Sequence, residues 1–120
     1  MAATTTTRSK PAVPSKLTEN DVAALMEQAR LASEFLKAFS HEARLVILCL
    51  LVEGEKSVSE LEHLLKLRQP AVSQQLARLR ADDLVEVRRE GKNMYYSLAR
   101  PEVREIISVL HRVFCNVRKS

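Results

Sequence analysis

Between Ser57 and Leu98 the apolar side chains change period once, from helix to strand, and this constrains the fold more than any other stretch. Ser57-Val-Ser-Glu60 has the form of a capping box, with Ser57 as N-cap and Glu60 at the third helical position. A short helix is expected over Val58–Leu65, with Leu61, Leu64 and Leu65 facing inward. The link Lys66–Gln69 follows, and Pro70 suits the first position of a second helix running to about Asp83. Val72, Leu76 and Leu79 fall on one face of that helix. Leu84–Arg89 then alternates in part, and Met94–Leu98 is β-prone. Glu90-Gly91-Lys92-Asn93 between them reads as a hairpin loop.

The flanks are helical. Thr18 is an expected N-cap for a helix over Glu19–Phe39, with Val22, Leu25, Met26, Ala29, Ala32, Leu36 and Phe39 as its stripe. Ser40 is expected to cap a helix over His41–Val52, apolar on every side from Leu45 onward and therefore central to the domain; Gly54 ends it. A last helix should start near Pro101 and reach about Val117, with Val103, Ile106, Ile107, Leu110, Phe114 and Val117 as its stripe. Aromatics make up 4% of the chain and Trp is absent, so the core must be aliphatic. Residues 1–17, with four consecutive threonines and two prolines, read as a disordered N-terminal tail ahead of one domain over 18–120. The expected class is mainly α with a small β-hairpin, in winged helix-turn-helix order. The first and last helices have long apolar stripes and no third partner, so a homodimer through those two helices is expected.

The net charge of +4 is unevenly spread. Thr18–Leu65 is net acidic at −5, whereas Lys66–Lys92 is net basic at +3, which would draw an anionic partner to the second window. No phosphate loop, metal-hydrolase spacing or nucleophile elbow is present, so an enzyme is not expected. No apolar run suits a membrane span or a signal core, which predicts a cytoplasmic protein whose Cys49 and Cys115 are reduced by default. Those two are either inert core residues or reactive thiols.

The major groove gives each base pair its own pattern of donors and acceptors. Gln74, Gln75 and Arg78 on the second short helix, with Gln69 just before it, supply the side chains that pair with adenine and guanine edges. Ser59, Arg68, Ser73 and the hairpin bases Arg88, Arg89 and Lys92 are expected to hold phosphates. Double-stranded operator DNA is the expected partner, with two reading helices of a dimer about 34–36 Å apart. A winged helix that binds protein instead is the rival from another class.

The run Ser57-Val-Ser-Glu-Leu-Glu-His-Leu-Leu-Lys-Leu-Arg-Gln-Pro-Ala-Val-Ser-Gln-Gln-Leu-Ala-Arg-Leu-Arg80, followed by Leu84–Leu98, resembles the ArsR (ArsR/SmtB) family of transcriptional repressors. The resemblance spans roughly Leu25–Val117 and is most specific at Gln-Pro-Ala-Val-Ser-Gln-Gln-Leu and Arg-Arg-Glu-Gly-Lys. It implies a homodimer that releases DNA when an inducer binds. The Cys-x-Cys pair of arsenic-type members is missing from Val58–Glu62, and the last helix carries His111 and Cys115 in place of the Asp and His pairs of zinc-type members. No metal site or cofactor is therefore expected, although a metal-responsive repressor built on His41, His63, His111 and the cysteines is the runner-up, and Cys and His are both haem ligands. Cys49 and Cys115 resemble the cysteine pair of the persulfide-responsive SqrR/BigR-type subgroup. That resemblance implies redox sensing, with an inorganic or organic persulfide or polysulfide as inducer and a disulfide or polysulfide bridge as the switched state.

Overall fold

The computed structural model describes residues 16–114. Most of the expected tail, together with Cys115 and Val117, lies outside the described residues. The chain divides into two units, residues 1–33 and 34–120, and helix α1 (Glu19–Lys37) begins in the first and ends in the second.

In the first unit α1 opens on a reciprocal cap. The Thr18 N–H donates to Asp21 Oδ2 at 3.0 Å and the Asp21 N–H donates to Thr18 Oγ1 at 3.1 Å. Those bonds hold the Asp21 carboxyl below its ordinary pKa. No α1 residue is buried, and Met26 is 66% exposed.

The second unit contains α2 (Glu42–Val52), β1 (Lys56–Ser57), α3 (Val58–Leu65), α4 (Gln69–Ala81), β2 (Val85–Glu90), β3 (Asn93–Leu98) and α5 (Pro101–Phe114). The three strands form an antiparallel sheet in the order β1-β3-β2. The register runs from Val85 opposite Leu98 to Glu90 opposite Asn93, with Lys56 opposite Tyr96 on the other edge. Gly91 and Lys92 make the turn, and Gly91 takes φ 63°, as a two-residue hairpin requires. The loop is therefore two residues shorter than expected, because Glu90 and Asn93 pair as the last rung.

The core is aliphatic apart from Phe39 and Tyr96: Ile47, Leu48 and Leu51 from α2, Leu61 from α3, Val72, Leu76 and Leu79 from α4, Leu84 and Val85, and Val103 and Ile107 from α5. This is the winged helix-turn-helix arrangement, with a short extra strand leading into α3.

Ser57 caps α3 as expected: its Oγ accepts from the Glu60 N–H at 3.0 Å, and Glu60 Oε1 accepts from the Ser57 N–H at 2.7 Å. Ser57→Ala should cost about 1 kcal/mol of unfolding free energy, read as a shift of the denaturation midpoint.

Several expectations are corrected. Ser40 does not cap α2. Its hydroxyl donates to the Leu36 carbonyl, and His41 takes the cap, its Nδ1 accepting from the Ala43 N–H at 3.1 Å. Pro70 is the second helical residue of α4, where a missing N–H costs nothing because the first turn has no intrahelical acceptors. Leu64 is 50% exposed. Val58, Leu61 and Leu65 centre the packed arc of α3, and Leu64 lies about 90° around the helix from that centre. One side of α2, at Val46, is exposed, so the helix is central without being enclosed. Phe114 is 74% exposed rather than packed in the α5 stripe.

Candidate nucleic-acid interface and a thiol cleft

Three elements of the second unit meet at one surface. A groove of about 240 Å³ is lined by Ser57 and Ser59 at the start of α3, Gln69 and Ser73 on the first turns of α4, and Lys92 and Asn93 at the hairpin turn. The structure thus brings together four of the expected contact residues, Ser59, Gln69, Ser73 and Lys92. Gln69 Nε2 donates to Ser73 Oγ at 2.6 Å, which orders both side chains. Arg68 faces a neighbouring, more open cleft of about 520 Å³ with Ser59, Glu62, His63, Lys66 and Leu67. Lys66 ends α3 in the left-handed conformation at φ 58°, which turns the chain from α3 into α4.

Further along α4 the expected contacts differ from one another. Gln74 is exposed. Gln75 is half-buried, and its Oε1 accepts from Arg44 Nη1 at 3.0 Å. Arg78 is exposed and its Nε donates to Asp82 Oδ2 at 2.8 Å, a pair that partly offsets its charge.

The wing bases also split. Arg88 and Arg89 are consecutive on β2 and so point to opposite faces of the sheet. Arg88 donates from Nε to Glu55 Oε2 at 3.0 Å, from Nη2 to Glu55 Oε1 at 2.8 Å, and from Nη1 to Glu90 Oε1 at 2.9 Å. Its guanidinium also sits 4.7 Å from the centre of the Tyr95 ring. The hydrogen bonds to Glu55 and then Glu90 raise the Arg88 pKa, and Arg88 in turn lowers that of Glu55. The clamp is therefore intact at neutral pH. It is full above the ordinary carboxylate range and lost only as acid titrates Glu55 below it. Arg88 is exposed too, but its ion pairs tie the wing to the turn after α2, so Arg89 and Lys92 are the wing bases not engaged in that clamp. Sequence reasoning missed Glu55 and Arg44, the residues that occupy Arg88 and Gln75. The one available signal was a single arginine in the first turn of α2, just before its apolar run.

On another face of the same unit α2 and α5 leave a cleft of about 360 Å³, lined by Cys49 and Val52 from α2, by its C-cap Glu53, and by Ile107, Ser108, His111 and Arg112 from α5. Arg104 Nη1 donates to the Val52 carbonyl at 2.9 Å and joins the two helices beside it. Cys49 is half-buried on the cleft wall, more open than an apolar helix led one to expect. Cys115 lies outside the described residues. Among the described residues no group of three or more His, Cys, Asp or Glu side chains is arranged to hold a metal. His41, His63 and His111 belong to three different elements.

Residues 41–87 match the bacterial regulatory protein, arsR family, model. The chain is 46% identical over 84 residues to the transcriptional activator HlyU of Vibrio cholerae, covering 70% of this chain and 78% of that one. The solved structure of reduced HlyU superposes with a TM-score of 0.74 at 43% identity, over 77% of this chain and 97% of that one. The chain is also 40% identical over 102 residues to the biofilm growth-associated repressor of Agrobacterium fabrum, covering 85% of this chain and 87% of the repressor. A homodimeric winged helix-turn-helix DNA-binding domain from Mycobacterium bovis superposes with a TM-score of 0.61 at 30% identity, over 83% of this chain and 89% of that domain.

Proposed function

The chain belongs to the arsR family of bacterial regulatory proteins, and from that premise we propose that it is a dimeric operator-binding repressor controlled by thiol chemistry at Cys49 and Cys115. Its relatives are transcriptional regulators, named as an activator in one case and a repressor in another. The basic window with its α3–α4–wing groove is the DNA surface in this reading: Gln69, Gln74 and Arg78 address bases, and Ser59, Arg68, Ser73, Arg89 and Lys92 address phosphates. Apolar side chains exposed on α1, such as Val22 and Met26, and on α5, such as Val113 and Phe114, favour burial against a second copy.

The observation that carries the thiol reading is Cys49 on the wall of an open cleft beside two basic side chains of α5, the helix that leads toward Cys115. A thiolate of Cys49 attacks the terminal sulfur of a persulfide RSSH, giving Cys49–SSH and releasing RSH. The Cys115 thiolate then displaces hydrosulfide from Cys49–SSH, closing a disulfide with hydrogen sulfide as the leaving product. If both cysteines are first persulfidated, loss of one hydrogen sulfide closes a trisulfide. The incoming sulfane sulfur is the oxidant in each case, reduced to sulfide as the two thiols are oxidised. An extra sulfur lengthens the bridge by about 2 Å, which matters when two thiols sit beyond the reach of a direct disulfide.

Intact mass and peptide mapping of the full chain after treatment with a persulfide donor test this reading. A Cys49–Cys115 link carrying no or one added sulfur is expected, and absence of any linked product overturns it. The wing makes its own prediction. Arg89→Ala and Lys92→Ala should each flatten the plot of log affinity against log salt by about 0.9 per lost phosphate contact. Arg88→Ala should leave that slope unchanged, because its charge is spent on Glu55 and Glu90.

A further inference from the structure

We propose that Arg44 is a positioning residue for DNA recognition, holding α4 at a set pitch by gripping Gln75 from α2. The inference rests on α4 being the DNA-reading helix and is independent of the cysteine chemistry.

Arg44 is the one basic residue on α2, and its side chain makes three polar contacts outside that helix. Its Nε donates to the Ala38 carbonyl at 2.9 Å and its Nη2 donates to the Lys37 carbonyl at 3.3 Å. Both acceptors lie at the end of α1, where carbonyls have no intrahelical donors. The remaining arm, Nη1, reaches Gln75 Oε1 at 3.0 Å, across 31 residues of sequence. A planar guanidinium can serve three acceptors in fixed directions, which an ammonium cannot. Burial and the nearby Arg78 pull its pKa down, with Asp82 opposing, so the group lies in the field of the reading helix's own charges.

The bond has a direct consequence for specificity. Pairing of a glutamine with adenine uses both ends of the amide. The Arg44 bond takes one lone pair of the half-buried Gln75 carbonyl and fixes which way the amide faces, so Gln75 is not free to turn both ends to adenine. Gln74, exposed beside it, is the amide left for base contact. Gln75 is instead the point where the scaffold holds the reading helix.

A double-mutant cycle on the full reduced chain tests this, using a duplex that the chain itself selects from a random-sequence pool. Arg44→Met and Gln75→Leu should each weaken binding about tenfold, the scale of one lost hydrogen bond to a charged group. The double variant should bind no worse than either single variant. The salt slope should stay unchanged in all three, and so should the base preference selected by Gln75→Leu. Effects that multiply, a flatter salt slope for Arg44→Met, or a changed base preference for Gln75→Leu would overturn the proposal.

Arg44→Lys, which keeps a donor for the Lys37 and Ala38 carbonyls, guards against a variant that simply misfolds. In the DNA-free chain it should speed amide hydrogen exchange at Ala71–Gln75, and unchanged exchange there also overturns the proposal. A parent chain that selects no duplex would count against DNA reading by α4, and the exchange result would still decide whether Arg44 holds the helix.

Discussion

Leu76→Ala should lower the unfolding free energy by about 2–5 kcal/mol, the range for emptying a packed leucine site. Leu76 is 1% exposed and stands one turn from Val72 and Leu79, both fully buried, so it anchors the middle of α4. The loss has two parts, the transfer free energy of the deleted methyl groups and the cavity left among neighbours that relax only in part. Equilibrium denaturation should show a lower midpoint with an unchanged slope against denaturant. The matched control is Leu64→Ala, the same deletion on the neighbouring helix at a half-exposed position. It should cost far less. Equal costs would mean that the packed arc of α3 is wrongly placed.

Cys49→Ser should leave DNA binding by the reduced chain unchanged and abolish its release by persulfide donors. Serine replaces sulfur with oxygen at a half-buried position, so the fold loses little. A hydroxyl cannot accept sulfane sulfur, so neither the persulfide nor the bridge forms. Moving an operator-bound population from about 99:1 to 1:99 takes about 5.5 kcal/mol of differential free energy, a demand that a covalent link between Cys49 and Cys115 can meet. Cys115→Ser should also fail to release DNA, because the Cys49 persulfide still forms but has no second thiol to close the bridge. Release from the Cys49→Ser chain at the parent's donor concentration would remove the thiol from the account.

The local features of this fold were legible because their causes are local. The Ser57–Glu60 cap lies within one helical turn, the stripe Val72-Leu76-Leu79 follows helical spacing, and Gly91 marks a turn that needs positive φ. Some misreadings came where a residue had a competing partner. Ser40 looked like a cap, but its hydroxyl serves the helix behind it. β1 is two residues long and exists only because Tyr95 and Tyr96 lie across from it, so no alternation could announce it. The candidate site divides in the same way. The exposed set on α4 and the wing could be read from pattern, and the groove brings Ser59, Gln69, Ser73 and Lys92 together. That Arg88 and Gln75 are engaged within the chain depends on Glu55 and Arg44, which lie 33 and 31 residues away. No spacing rule connects positions so far apart.

On the proposed reading one surface, the α3–α4–wing groove, holds duplex DNA in the reduced chain and loses it when Cys49 and Cys115 are bridged. Fluorescence anisotropy of a labelled, self-selected duplex, titrated with the full chain at fixed salt, tests it most directly. Binding in the reduced state is predicted, with affinity falling by at least about a hundredfold on adding a persulfide donor and returning with a thiol reductant. Equal affinity before and after the donor, with the Cys49–Cys115 link confirmed by mass in the same sample, would contradict it.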